Sequence, residues 1–108
     1  MAKYLIQAAY TSEAWKNLIA SPENRMEAIR TVIEGLGGNL EGFYFAFGDY
    51  DVVGIVEFPD NISEAAFSIA VAGGGAVKSL RTTPLMSIED GIEALRKAGG
   101  SGYRPPGG

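Results

Sequence analysis

The chain of 108 residues has a formal net charge of −4, is 46% hydrophobic, and contains neither cysteine nor histidine. It therefore lacks disulfides, thiolate metal sites and cysteine nucleophiles, together with the commonest metal ligand and the commonest general base. We predict no metal site and no cofactor and, because no lysine or arginine cluster appears, no nucleic-acid partner.

The composition predicts one domain, residues 1–98, followed by a flexible tail, residues 99–108, that is rich in glycine and proline. The first ten residues hold one lysine and a very short apolar run, which is not the pattern of a signal peptide. Since no apolar run approaches the length of a membrane-spanning helix, we expect a cytoplasmic protein with no membrane partner.

The chain begins with a predicted strand and a predicted helical segment. Residues 3–10 alternate as a strand does, with tyrosine, isoleucine and alanine on one face. Residues 11–20 predict a short helical turn, which Thr11 or Ser12 can cap, or an ordered loop. Trp15 belongs to the apolar patch of this segment, where it closes the end of the core or forms a wall for a ligand.

A long helix is predicted next. Ser21 is typical of an N-cap and Pro22 of the first helical position, so we expect the helix to begin there. We expect Gly37 and Gly38 to end it, since glycine takes the left-handed C-cap conformation without strain.

Residues 40–58 predict a β-hairpin, because two runs of aromatic and β-branched residues flank the turn Gly48-Asp49-Tyr50-Asp51. Gly48 is expected to supply a positive φ, and the aspartates to accept hydrogen bonds from turn amides. Both strands are apolar on both faces, which indicates a sheet that is covered on both sides.

The second half of the chain predicts a helix, an edge strand and a short helix. Asn61, with Glu64 three residues later, resembles a capping box at the start of the second long helix, and Asp60 is a rival cap. Residues 76–86 read as a strand at the sheet edge, because Pro84 cannot donate to a ladder. Ser87 can cap a short amphipathic helix that runs to Lys97.

This order of elements predicts an α+β, ferredoxin-like βαββαβ plait with a short additional C-terminal helix. We expect a four-stranded antiparallel sheet, in strand order 4-1-3-2, with the two long helices on one face. The apolar second face predicts a homo-oligomer, in the simplest case a dimer that pairs through the sheet. The residues expected at this interface are Phe43, Tyr44, Phe45, Val53 and Ile55.

A set of short motifs over roughly residues 3–90 carries a resemblance to a known family. The motifs are Gly48, Tyr50 and Asp51, together with Tyr10-Thr11, Ser21-Pro22, Gly37-Gly38 and Gly42-Phe43-Tyr44. The chain resembles the GYD family of small proteins, which is named for a glycine–tyrosine–aspartate signature. The resemblance implies ferredoxin-like protomers that pair through their sheets, as in the dimeric α/β-barrel group, and brings no established activity. The chain departs from the family pattern at Ala14-Trp15, where a glycine is expected. Many relatives in that group bind haem through an imidazole, and this chain has no histidine.

The turn is also similar to one in the effector domains of Lrp/AsnC-type regulators, which bind small ligands such as amino acids between protomers. That resemblance implies a small-molecule ligand. The candidate ligand-binding residues are Tyr10, Trp15, Gln7, Tyr50 and Arg81.

Three hypotheses for the function remain open. The leading one is a small homo-oligomeric binding or accessory module. The second is a cofactor-free enzyme, similar to a monooxygenase or an isomerase, that acts on a small metabolite through Tyr50, Asp51 or Glu57. The third is a purely structural oligomer. The alternative interpretation of Glu57 is a residue at a strand end, in a salt bridge with Lys3 or Arg81, or in an interface hydrogen bond.

Overall fold

The structure is a computed structural model that describes residues 1–107. Gly108, the last residue of the predicted tail, lies outside the described residues. Over residues 1–107 the elements are β1 (Ala2–Tyr10), α1 (Ser12–Ala20), α2 (Arg25–Gly35), β2 (Asn39–Phe45), β3 (Val52–Phe58), α3 (Asn61–Gly73), β4 (Val77–Leu85) and α4 (Ile88–Gly99). The predicted order is confirmed, and the segment after β1 is a regular helix.

The four strands within residues 1–107 form one sheet in the order β2-β3-β1-β4, and all neighbouring strands are antiparallel. The prediction of an α+β ferredoxin-like plait is confirmed, and β4 is an edge strand. Along β1 the side chains of Tyr4, Ile6 and Ala8 are buried, whereas those of Leu5 and Gln7 are half-buried. One face of the sheet therefore carries the core.

The core lies between that face and two helices. Ile33 of α2, together with Val56 and Phe58 of β3, is almost completely buried. Phe67 of α3 packs on Phe58, with 5.7 Å between the ring centroids, and Tyr4 of β1 joins the same cluster. Burying side chains of this size stabilises the fold by about 1.5–3 kcal/mol each.

The other face, which we call the open face, is not covered by a helix of the described chain. Tyr44 on this face is 65% exposed, and Val53 and Ile55 are half-buried. We predicted a sheet that is covered on both faces, whereas within residues 1–107 only the helix side of the sheet is covered.

The last helix, α4, stands away from the core. None of its described residues is buried, and its apolar residues Ile88 and Leu95 are 77% and 72% exposed. The chain is elongated, with principal extents of 58 × 33 × 22 Å. An isolated helix of this length is marginal in water, and helices in proteins are stabilised mainly by packing of an apolar face. The apolar stripe of α4 has no such packing within residues 1–107.

Two helix starts differ from the predictions. Asn24, and not Ser21, is the N-cap of α2, and its side chain accepts a hydrogen bond from the Met26 amide at 3.0 Å. Ser21 instead ends α1, where its amide donates to the Asn17 carbonyl. Asp60 wins over Asn61 as the cap of α3.

Candidate functional site

The connection between β2 and β3 contains the residues of the glycine–tyrosine–aspartate signature. Gly48 is not among the described glycines with positive φ, so the prediction for Gly48 is wrong. A Cβ added there would meet nothing within 4 Å. The connection runs over residues 46–51, which is longer than the two-residue hairpin turn that demands a positive φ.

Asp51 ties this connection to the end of β1. Its carboxylate Oδ2 accepts a hydrogen bond from the Tyr10 amide at 2.8 Å. Its own amide donates to the Ala8 carbonyl at 2.8 Å, and its carbonyl accepts from the Ala46 amide at 2.9 Å. The pairing of β1 with β4 shifts register between Ala9 and Tyr10. Asp51 therefore holds the strand at an irregular point, a role that the predicted capping of turn amides did not foresee.

A shallow hollow of about 420 Å³ lies beside the connection on the open face. Three of the predicted ligand-binding residues, Gln7, Tyr50 and Arg81, line it together with Asp49 and the half-buried Val53. Gln7 stands opposite Arg81 in the β1–β4 register and opposite Val53 in the β1–β3 register. The hollow therefore offers a guanidinium, an amide, a phenol and a carboxylate within a largely polar lining.

The other two predicted ligand residues lie on the helix side of the sheet. The rings of Tyr10 and Trp15 meet edge to face with 5.2 Å between centroids, and Trp15 stacks on Phe45 at 6.4 Å. Burial raises the pKa of the Tyr10 phenol, and the nearby Arg25 guanidinium opposes that rise. The five predicted ligand residues are thus divided between two sites.

Glu57 is remote from the other two catalytic candidates. It lies six positions after Asp51 along β3, about 20 Å away at about 3.3 Å per strand residue. Its carboxylate accepts a hydrogen bond from Asn39 at 3.4 Å. Lys3 pairs instead with Glu41 at 3.0 Å, and that hydrogen bond raises the pKa of Lys3. Tyr50, Asp51 and Glu57 therefore do not form one catalytic site.

The five residues predicted at the interface also divide between the two faces. Val53, Ile55 and Tyr44, which pairs with Val53, lie on the open face. Phe43 packs against the core on the helix side, and Phe45 stacks there on Trp15. Phe43 and Phe45 therefore do not lie on the open face, since alternate residues of a strand point to opposite faces, and an interface that includes them stays a prediction.

Sequence reasoning missed a cavity of about 550 Å³ on the helix side. Its lining includes Ala8 and Gly54 of the central strands and Arg25 at the start of α2. Ala8 and Gly54 were the available signal, because small residues in the middle of a sheet leave space beneath the helices. Phe47 was also missed as the most exposed aromatic residue, at 101% exposure.

Within residues 1–107 no group of three or more aspartate, glutamate, histidine or cysteine residues could hold a metal ion. The same part of the chain contains no helix that is long and apolar enough to cross a membrane. The expectation of a cytoplasmic location stays a prediction.

Comparison with known proteins identifies the family. The model of the GYD domain matches residues 4–95, which is most of the chain. The chain belongs to the GYD domain family. The prediction made from Gly48, Tyr50 and Asp51 is therefore confirmed, and the match covers β2, β3 and β4 in full and most of β1.

The chain is also similar to a protein of known name and to two proteins of known structure. A Thermus thermophilus protein named glutamine synthetase and cystathionine beta-lyase binding protein is 25% identical over 96 residues, 89% of this chain and 100% of that protein. The chain in the crystal structure of FFRP-DM1 has 16% sequence identity to this chain and a TM-score of 0.47. The match covers 80% of this chain and 100% of that one. The crystal structure of the hypothetical protein PHS023 from Pyrococcus horikoshii has 16% sequence identity to this chain and a TM-score of 0.49. The match covers 81% of this chain and 92% of that one.

Proposed function

We propose that this chain is a homo-oligomeric accessory protein that binds an enzyme and does not itself catalyse a reaction. The observation that carries the proposal is the open face of the sheet, where Tyr44 is 65% exposed beside the half-buried Val53 and Ile55. Monomeric proteins seldom expose a large continuous apolar patch, and such a patch marks an interaction surface.

The size of this surface favours self-pairing with the help of α4. Strands about 4.8 Å apart and about eight residues long give the sheet a flat area of about 500 Å². A stable dimer buries about 800 Å² on each partner. The α4 stripe adds about 180 Å² if it is about 18 Å long and about 10 Å wide. Pairing two open faces, with each α4 packed on the second copy, therefore gives roughly the area required.

The enzyme partner is proposed from the Thermus relative. That protein is named for binding glutamine synthetase and cystathionine beta-lyase, and the alignment covers its whole length. The distance of Glu57 from Tyr50 and Asp51 also favours binding over catalysis. The two named enzymes are therefore the first partners to test for this chain.

The dimer is tested by the Tyr44→Asp variant in light scattering across micromolar concentrations. A charge among the apolar residues of the open face should shift the mass from dimer to monomer, because desolvating an unpaired carboxylate is costly. Tyr103→Asp is the matched control, since Tyr103 is equally aromatic, is 77% exposed and lies in the tail. A monomeric wild type, or dissociation by both variants alike, would contradict pairing through the open face.

Enzyme binding is tested by biolayer interferometry with the immobilised chain. Purified glutamine synthetase and cystathionine beta-lyase from the source organism are titrated, and an unrelated enzyme of similar net charge is the control. Saturable binding of either named enzyme, without binding of the control, supports the proposal. A folded dimer that binds neither would overturn the accessory role while leaving the dimer intact.

A further inference from the structure

The cavity on the helix side exists because the two core helices are splayed. Helix α2 packs mainly over β2, and α3 packs over β4 and β3. The space between them, about 550 Å³, lies above the central strands. Its floor is formed by Ala8 and Gly54, and its walls include Phe43, Phe67 and Leu80. This volume is within the range of small-molecule sites, and apolar lining of this kind is their usual character.

One end of the cavity is polar. The segment that joins α1 to α2 contributes Ser21 and Glu23 to the lining, the first residue of α2 contributes Arg25, and β1 contributes Tyr10. Nη1 of Arg25 lies 3.2 Å from Oε1 of Glu23, and these side chains are 36% and 56% exposed. An ion pair this exposed to water is weak, so Arg25 can exchange Glu23 for another carboxylate. The site thus has an apolar body and, at its polar end, a guanidinium that is only weakly paired with Glu23.

We propose that this cavity binds an amphipathic monocarboxylic acid, with the carboxylate on Arg25 and the apolar body above Ala8 and Gly54. The planar guanidinium matches a carboxylate in a bidentate arrangement. A neutral apolar ligand would make no use of this cation. The proposal does not depend on enzyme binding, since the cavity and the open face lie on opposite sides of the sheet.

The probe is octanoate, and octan-1-ol is the matched ligand without a charge. Titration is followed by the fluorescence of Trp15, whose ring contacts Tyr10 in the cavity wall, and by calorimetry. We expect saturable binding of octanoate that is at least about tenfold tighter than that of octan-1-ol, as for a charge-assisted hydrogen bond. Equal affinities, or no saturable octanoate binding at millimolar concentrations, would overturn the proposal.

Two variants at the polar end test the role of charge in opposite directions. Arg25→Gln should weaken octanoate binding by about tenfold and leave octan-1-ol unchanged. Glu23→Gln removes the competing carboxylate and should strengthen octanoate binding. Both side chains are at least one-third exposed, so circular dichroism should show a folded protein in each case. Weaker binding in Glu23→Gln, or unchanged octanoate affinity in Arg25→Gln, would contradict the assignment.

Two further variants test the location and the occupant. Ala70→Leu places extra volume in the cavity wall on α3, at an exposed position, and should weaken both octanoate and octan-1-ol. Unchanged binding would place the ligand elsewhere and overturn the proposal. Deletion of residues 88–108 tests whether α4 of a second copy fills the cavity. If octanoate binds only to the shortened chain, then α4 is the occupant and the proposal is wrong.

Discussion

Removing the Asp51 carboxylate should destabilise the protein more than any other single change in the hairpin connection. In Asp51→Ala the Tyr10 amide loses its acceptor at 2.8 Å, and Tyr10 is 8% exposed. A hydrogen bond to a charged group contributes about 1.5–3 kcal/mol, and a buried donor left without a partner incurs its desolvation cost. We therefore expect a loss of about 2 kcal/mol in the free energy of unfolding.

For a domain of this size that loss corresponds to a fall in Tm of about 8 °C, at about 4 °C per kcal/mol. The measurement is urea denaturation together with a thermal scan, at one fixed protein concentration because dissociation of a dimer would couple to unfolding. Asp51→Asn keeps an acceptor in nearly the same place and should lose about 1 kcal/mol. Asp49→Ala is the matched control at an exposed neighbour and should change stability by less than about 0.5 kcal/mol. If Asp51→Ala is as stable as Asp49→Ala, then the bond to Tyr10 does not hold the strand.

Three other predictions follow from local geometry. Gly38→Ala should lower the free energy of unfolding by about 1–3 kcal/mol through overpacking, because the added Cβ would clash with the Glu57 carbonyl oxygen. Gly48→Val should change the free energy of unfolding by under about 0.5 kcal/mol. Equal Tm values for the two variants would refute this prediction. The amide of Ser63 holds the pKa of Asp60 below its usual 3.8, so the stability that Asp60 adds is present above pH 3.8 and is lost as the pH falls through the lowered value. The difference in Tm between wild type and Asp60→Ala should accordingly close below about pH 4, and a constant difference would contradict the cap. Truncation after Gly99 should leave Tm within about a degree, and a fall of several degrees would mean that the tail docks on the domain or on a partner.

The sequence predicts the architecture well where the pattern is long and redundant. The hairpin, for example, is specified by two apolar strands and by the breaks on either side of them, so its existence does not depend on one residue. The end of α2 is specified as clearly. Gly37 has a φ of 84°, and the Gly38 amide donates to the Ile33 carbonyl at 2.9 Å, as expected for a glycine C-cap.

Predictions that rest on single residues fail more often, because several positions can satisfy the same requirement. Ser21 and Asn24 are both good N-caps, and the choice depends on where α1 ends, since the Ser21 amide is already bonded to Asn17. Gly48 is typical of a tight turn, but the longer connection removes the need for a positive φ. In each case a tertiary or neighbouring contact decides between residues of similar propensity.

The candidate sites could be predicted only in part, for a different reason. A strand pattern says which residues share a face, but it does not say which face meets the helices when both are apolar. Tyr44 and Phe43 are adjacent and both aromatic, and the structure places Tyr44 on the open face and Phe43 against the core on the helix side. The cavity is harder still, because it depends on how far α2 and α3 stand apart, which the sequence of neither helix states.

Asp51 links residues that lie on the two opposite faces of the sheet. Its bonded partners on β1, Ala8 and Tyr10, both line the cavity, whereas its neighbours in the chain, Asp49 and Tyr50, line the hollow on the open face. The hydrogen bonds of Asp51 therefore fix the position of the hollow relative to the cavity floor. That arrangement gives the signature aspartate a structural role that requires no catalysis, and it explains why an acid at this position, on a chain without histidine, need not indicate an active site. A variant that loses these bonds should disturb both surfaces together, whereas Arg25→Gln should alter the cavity alone and Tyr44→Asp the open face alone.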